Sequence, residues 1–143
     1  MLIGEFQHTI DAKGRLIIPS RFRDGLGAHF ICTRGLDGCL SLYPMAEWEA
    51  LAARLKELPT TQSNARAFVR FLFAGATECV LDRQGRILIP GPLREYAQLE
   101  RDVVILGVSN RAEIWALERW QGYSRSAAES FDEIAEQLVD LGI

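Results

Sequence analysis

The chain opens on an alternation. Phe6, His8 and Ile10 fall at every second position with Gln7 and Thr9 between them, the period of a strand with one buried face. Asp11-Ala12-Lys13-Gly14 breaks that pattern. An Asp at the head of a turn accepts from the backbone amides that follow, and glycine takes a positive φ without steric cost. Arg15 to Ile18 predicts a second short strand ended by Pro19, and Ser20 to Asp24 one helical turn. His29–Thr33 and Cys39–Tyr43 predict two more strands around the turn Gly35-Leu36-Asp37-Gly38. The period then changes. Met45, Trp48, Leu51, Leu55 and Leu58 share one face of a helix that takes Pro44 as its first residue and stops at Pro59. A second helix, Gln62 to Phe73, turns Ala65, Phe68, Val69, Leu72 and Phe73 inward and leaves Arg66 and Arg70 on its outer side.

The same signals then return. Asp11-Ala12-Lys13-Gly14-Arg15-Leu16-Ile17-Ile18-Pro19 reappears 71 residues later as Asp82-Arg83-Gln84-Gly85-Arg86-Ile87-Leu88-Ile89-Pro90. At the same offset Gly4 matches Gly75 and Arg23 matches Arg94. One inserted residue later Gly35 matches Gly107, Leu36 matches Val108, Tyr43 faces Trp115 and Trp48 matches Trp120. Agreement in Asp, Gly, Arg, Ile and Pro in one register is improbable by chance, so the chain is a duplication. The second copy predicts strands near Glu78–Leu81, Arg86–Ile89, Val103–Leu106 and Glu113–Trp115, with a short helix around Pro92–Tyr96. Ser126-x-x-Glu129 has the spacing of a capping box. It predicts the start of a C-terminal helix that buries Phe131, Ile134, Ala135, Leu138 and Val139 and shows its acids to solvent. Four short strands cannot bury both faces of their sheet alone. The expected fold is therefore α+β and β-rich, with two β units packed about a pseudo-twofold axis and helices outside. The units span 5–47 and 76–119, with a helical connector over 48–75 and an acidic amphipathic helix over 120–143.

Composition narrows the class. With 143 residues, 48% of them hydrophobic and 24% charged, the chain suffices for one packed domain or two very small ones, and disorder is excluded for most of it. No apolar run approaches the roughly 18–20 residues that span a bilayer. Met1 to Asp11 lacks the basic and apolar regions of a secretory leader. Cys32, Cys39 and Cys79 make an odd count without CxxC spacing. That argues against a disulfide framework or zinc site and for a reducing cytoplasm. The formal charge of −3 is unevenly spread. Residues 113–143 hold seven acids and two bases, while residues 1–112 hold 14 bases and 12 acids. A net acidic chain is not a general polyanion binder. A local basic surface stays open, because salt limits the effective field to about 8–10 Å.

Enzyme chemistry finds little support. The only histidines are His8 and His29, and His8 lies on an apolar strand face. The cysteines read as small buried apolar residues, no phosphate loop is present, and no His, Cys or carboxylate cluster has metal spacing. No catalytic residue, metal or cofactor is expected. The turns carry more. A basic residue follows each turn glycine: Arg15 after Gly14, Arg86 after Gly85. Lys13 and Arg83 sit within the turns, and Arg21, Arg23 and Arg94 lie nearby. A rigid ribbon tip fits the major groove of duplex DNA, where lysine contacts phosphates and arginine reaches a guanine edge in bidentate fashion. Asp11, four residues before Arg15, is placed to orient that guanidinium. The alternative is plain turn chemistry with an ion pair inside the hairpin, worth about 0–1 kcal/mol when exposed. Recurrence of the arginine and the crowding of bases around the motif favour nucleic-acid contact. Trp48 and Trp120 read as core anchors, and Arg66 and Arg70 as a solvated face. The acidic C-terminal helix reads either as a solubilising face or as a partner for a basic patch on a neighbouring subunit.

Several spaced motifs together resemble the bacterial MraZ family. They are Asp11-Ala12-Lys13-Gly14-Arg15…Pro19, Arg34-Gly35-Leu36-Asp37-Gly38-Cys39-Leu40…Tyr43-Pro44, Gly75-Ala76-Thr77-Glu78-Cys79…Asp82-Arg83-Gln84-Gly85-Arg86…Pro90 and Asn110-Arg111…Glu113…Trp115. The resemblance covers nearly the whole chain. It implies two SpoVT-AbrB-like modules of the swapped-hairpin type. It also implies a sequence-specific, cytoplasmic and nucleoid-associated transcriptional regulator of the division and cell-wall gene cluster, commonly including its own gene. It implies a ring-shaped homo-oligomer that presents Asp-x-x-Gly-Arg hairpins to tandem promoter repeats. The implied DNA contacts fall on Asp11, Lys13, Gly14 and Arg15, and on Asp82, Gly85 and Arg86 in the second copy, where Gln84 replaces Lys13 and Arg83 replaces Ala12, so that the second hairpin faces either DNA or a neighbouring subunit. The competing implication is an antitoxin-type interaction protein, in which the C-terminal helix binds a protein and DNA binding is autoregulatory.

Overall fold

A computed structural model describes residues 1–142. The first copy contributes β1 (Leu2–Thr9), β2 (Arg15–Ile17), α1 (Ser20–Leu26), β3 (His29–Arg34) and β4 (Leu40–Pro44). Two helices follow, α2 (Met45–Leu55) and α3 (Ser63–Ala74). The second copy repeats the order with β5 (Thr77–Val80), β6 (Arg86–Leu88), α4 (Gly91–Tyr96), β7 (Asp102–Ser109) and β8 (Ala112–Ala116). It ends in one long helix, α5 (Leu117–Gln137).

The copies interleave. One six-stranded antiparallel sheet runs β1-β7-β8-β4-β3-β5, and β2 pairs with β6 in a separate two-stranded ribbon. Each copy therefore lends its opening strand to the other, β1 to β7 and β5 to β3, while β4 and β8 meet in the middle. The ribbon expected within each copy forms between copies instead. Across the first turn the strand pairing shrinks to a single bridge, Ile10–Leu16. The reason is burial. Leu16 and Ile87 face each other across the β2–β6 ladder and are closed off completely, which neither three-residue strand achieves alone. The pseudo-twofold axis is visible in the core, where Leu16, Ile18, Phe22 and Phe30 occur beside their counterparts Ile87, Ile89, Leu93 and Val103.

Several sequence expectations are corrected. Ile31 lies opposite Tyr43, while Val104 lies opposite Trp115. Val104 is thus the counterpart of Ile31, and Arg34 rather than Gly35 corresponds to Gly107. The connection after β3 simply holds one residue more. Pro44 ends β4 and caps α2 rather than serving as its first residue. The helix expected to begin at Ser126 begins at Leu117, with no side-chain cap. Its start is set by docking, since Trp120 meets the buried Trp115 edge-on and Tyr123 packs against it at a tilt. The second half of α5 then runs clear of the body. Phe131 is 69% exposed, and Ile134, Ala135 and Val139 are also exposed, while Leu138 is half-buried. On α3 only Leu72 is fully buried, with Phe68 and Phe73 partly exposed. Trp48 and Trp120 are half-buried members of aromatic clusters rather than sealed core residues. The three cysteines are buried free thiols, as expected. Among the described residues no helix is long and apolar enough to cross a membrane.

Candidate nucleic-acid interface

The turn is built by one carboxylate. Asp11 Oδ1 accepts the backbone N–H groups of Lys13 and Arg15, each at 2.9 Å. Its Oδ2 accepts Arg15 Nε at 2.7 Å. The backbone closes the loop, with Gly14 N–H donating to Asp11 O at 3.0 Å and Asp11 N–H to Arg15 O at 3.0 Å. The second turn is the same. Asp82 Oδ1 accepts from the amides of Gln84 and Arg86 at 2.9 Å, and Oδ2 accepts Arg86 Nε at 2.8 Å. The amide of Arg15 holds the Asp11 carboxyl below the ordinary aspartate range, and the amide of Arg86 does the same to Asp82. Each arginine spends only Nε on its aspartate, so its two terminal amino groups keep their donors.

The antiparallel β2–β6 ladder holds the two turns at its opposite ends and puts their arginines on one face. Arg15 stands opposite Leu88, and Arg86 opposite Ile17. Because strand side chains alternate, Leu16 and Ile87 point inward while Arg15, Ile17, Arg86 and Leu88 share the outer face. Ile17 and Leu88 are 43% and 61% exposed. The turns also bond across the duplication. Ile18 N–H donates to Gly85 O and Ile89 N–H to Gly14 O, both at 2.9 Å.

The ladder thus brings Arg15 and Arg86 onto one face, while Asp11, Lys13, Asp82 and Arg83 are exposed on the turns that precede them and Gly14 and Gly85 lie beneath. Lys13 and Arg83 are exposed and, among the described residues, have no ion-pair partner. Gly14 and Gly85 adopt φ of +85° and +75° and are buried. What buries them was not legible in the sequence. An added Cβ on Gly14 would fall 2.9 Å from Arg94 Cζ, and one on Gly85 would overlap Arg23. Sequence reasoning also missed Ile17 and Leu88. The available signal was an apolar residue at the outward position of a strand whose flanking positions are core.

Other candidates separate from this surface. Arg66 donates to Thr60 O at 2.9 Å and so ties the α2–α3 connection, instead of merely facing solvent. His29 pairs with the exposed Glu78 on the neighbouring strand. Burial raises the Cys39 thiol to about 12, which makes it unreactive. No cluster of metal-ligating residues occurs among the described residues.

Comparison with known proteins agrees with the duplication. A family model described as "MraZ protein, putative antitoxin-like" matches residues 1–71 and again residues 72–142. The chain is 62% identical over 143 residues to the transcriptional regulator MraZ of Pelotomaculum thermopropionicum, covering 100% of this chain and 99% of the relative. It is 57% identical over 143 residues to the same-named protein of Moorella thermoacetica, covering 100% of each. Against that of Limosilactobacillus reuteri it is 62% identical over 138 residues, covering 96% of this chain and 97% of the relative. Two matched repeats and full-length identity at this level place the chain in the MraZ family, whose relatives here carry the name of transcriptional regulators.

Proposed function

We propose that the chain regulates transcription by sequence-specific binding of duplex DNA through its paired Asp-x-x-Gly-Arg turns. One observation carries the reading: Arg15 and Arg86 share the outer face of the β2–β6 ladder, and backbone bonds across the duplication hold their two turns in fixed relation. Arg15 and Arg86 read base edges with the donors that Asp11 and Asp82 leave free. Lys13 and Arg83 contact phosphates, and Ile17 and Leu88 offer apolar contact to thymine methyls. Gly14 and Gly85 hold the turn shape. The target is the tandem repeats of a division and cell-wall promoter, including that of the chain's own gene. The protein acts in the cytoplasm at the nucleoid, as a ring-shaped homo-oligomer. Repetition of weak contacts multiplies affinity through effective concentration, which reconciles DNA binding with a net acidic subunit. The uncovered apolar stripe of α5 and the groove edged by Lys56, Arg66 and Arg70 between α2 and α3 are surfaces suited to neighbouring subunits.

Arg15→Ala tests the assignment in a gel-shift assay with the chain's own upstream region, with folding and particle size checked in parallel. Binding is expected to be lost or severely weakened; unchanged affinity would sink the role of Arg15. Arg86→Ala is expected to give an equal or smaller loss.

A second reading is favoured by the same α5 observation. An acidic helix with exposed Phe131 and Ile134 suits an antitoxin-type contact with a basic protein, with DNA binding confined to autoregulation. Co-purification with a small toxin that α5 truncation abolishes would move this reading to first place.

A further inference from the structure

Two arginines outside the motif sit against its turns, and they do so crosswise. Arg23, on α1 of the first copy, lies on Gly85 of the second turn; Arg94, on α4 of the second copy, lies on Gly14 of the first. Both are anchored alike, Arg23 Nε donating to Ile18 O at 2.9 Å and Arg94 Nε to Ile89 O at 3.0 Å. That anchor fixes each guanidinium plane over a glycine that has no Cβ to displace it. Among the described residues, neither arginine has a carboxylate partner or a hydrogen-bond acceptor for its terminal amino groups. The neighbours Asp24 and Glu95 are exposed and make no ion pair with them.

A half-buried cation without a counter-charge is costly, and packing alone would be served as well by an apolar side chain. The arrangement nevertheless occurs twice. A guanidinium held by Nε presents its remaining amino groups as a fixed fork, the geometry that matches two oxygens of one phosphate.

We propose that Arg23 and Arg94 form two phosphate-binding sites, each completed across the duplication: the short helix of one copy supplies the cation beside the turn of the other. The inference rests on the DNA-binding reading and deepens it. Arg23 positions the nucleic-acid backbone for Arg86, and Arg94 does so for Arg15. Neither copy then presents a complete reading turn without the other.

The test measures affinity against KCl concentration for two duplexes, the chain's own upstream region and a random sequence of equal length. The proteins are the wild type, R15A, R23M, R23K and R94M, all full length with assembly verified. Phosphate contacts are sequence-independent, and each one lost reduces the log–log salt slope by about 1. R23M fills similar space without charge. It is expected to lower the slope by about 1 per bound subunit and to weaken both duplexes by a similar factor, about tenfold near physiological salt. R23K, which keeps the charge, is expected to keep the slope. R94M is expected to match R23M, and it provides the test if R23M fails to assemble. Wild-type slope in R23M and R94M would overturn the proposal, as would a loss confined to the promoter duplex. R15A separates this from the broader reading. It is expected to erase the preference for the promoter duplex, and a wild type without any such preference would refute DNA reading itself, whatever the Arg23 variants do.

Discussion

Asp11 shapes its turn and aims its arginine with one carboxylate, and Asp82 repeats both tasks. Amide and guanidinium donors favour the ionised form, so each carboxyl titrates below its ordinary value of 3.8. The sign follows from that depression. The turn's contribution to stability is complete above 3.8 and is lost as pH falls through the lower folded-state value. NMR titration of the two carboxyl carbons should give both midpoints below 3.8; a midpoint at or above it would mean the amide bonds do not form in solution. The glycine beside each arginine is equally constrained. At Gly14 an alanine meets a positive φ, costing about 1–2 kcal/mol, and also presses on Arg94, whose Cζ would lie 2.9 Å from the new Cβ. Gly14→Ala should therefore lower the thermal midpoint measured by circular dichroism. An unchanged midpoint would contradict both the positive φ and the contact with Arg94.

Among the elements, β2 and β6 have three residues each, too few to hold a conformation unaided. Their position depends on the pair Leu16–Ile87. Leu16→Ala should cost about 2–5 kcal/mol in chemical denaturation, the range for emptying a sealed core site. It should also cut DNA affinity, although Leu16 touches no candidate contact surface, because both turns hang from this ladder. The long helix α5 behaves in the opposite way. Only its first turns are docked, through Trp120 and Tyr123, so deleting residues 129–143 should leave the subunit folded by circular dichroism. Light scattering should then report a smaller particle. A truncated chain that keeps full particle size would exclude this helix from assembly.

At the scale of the whole molecule, the two copies are one folding unit. β1, β2 and β5 each find their ladder partners in the opposite copy. A fragment of residues 1–71 leaves Leu2, Leu16 and Phe30 without the strands that bury them, and it should be unfolded as a monomer. Two such fragments can restore the pattern by pairing with each other. Sedimentation combined with circular dichroism should then show structure appearing only as a dimer forms, and a folded monomer would contradict the interleaved topology.

The duplication, nearly every strand and the chemistry of both turns can be read from the residues alone, because these are local. Alternation, a turn glycine and an aspartate four residues before an arginine act over a few residues, and the backbone obeys them wherever the segment is placed. Local rules failed where distant partners decide the outcome. Ser126 looks like a cap, yet α5 starts at Leu117 because Trp115 offers a docking surface. Phe131 and Ile134 look like core, yet both stay exposed on the free half of α5. The pairing of β2 with β6, the crosswise placement of Arg23 and Arg94 against the turns, and the exposure of Ile17 and Leu88 emerge only when the chain is folded. Strand pairing and burial depend on which surfaces meet, and one copy's sequence contains no record of where the other copy will lie.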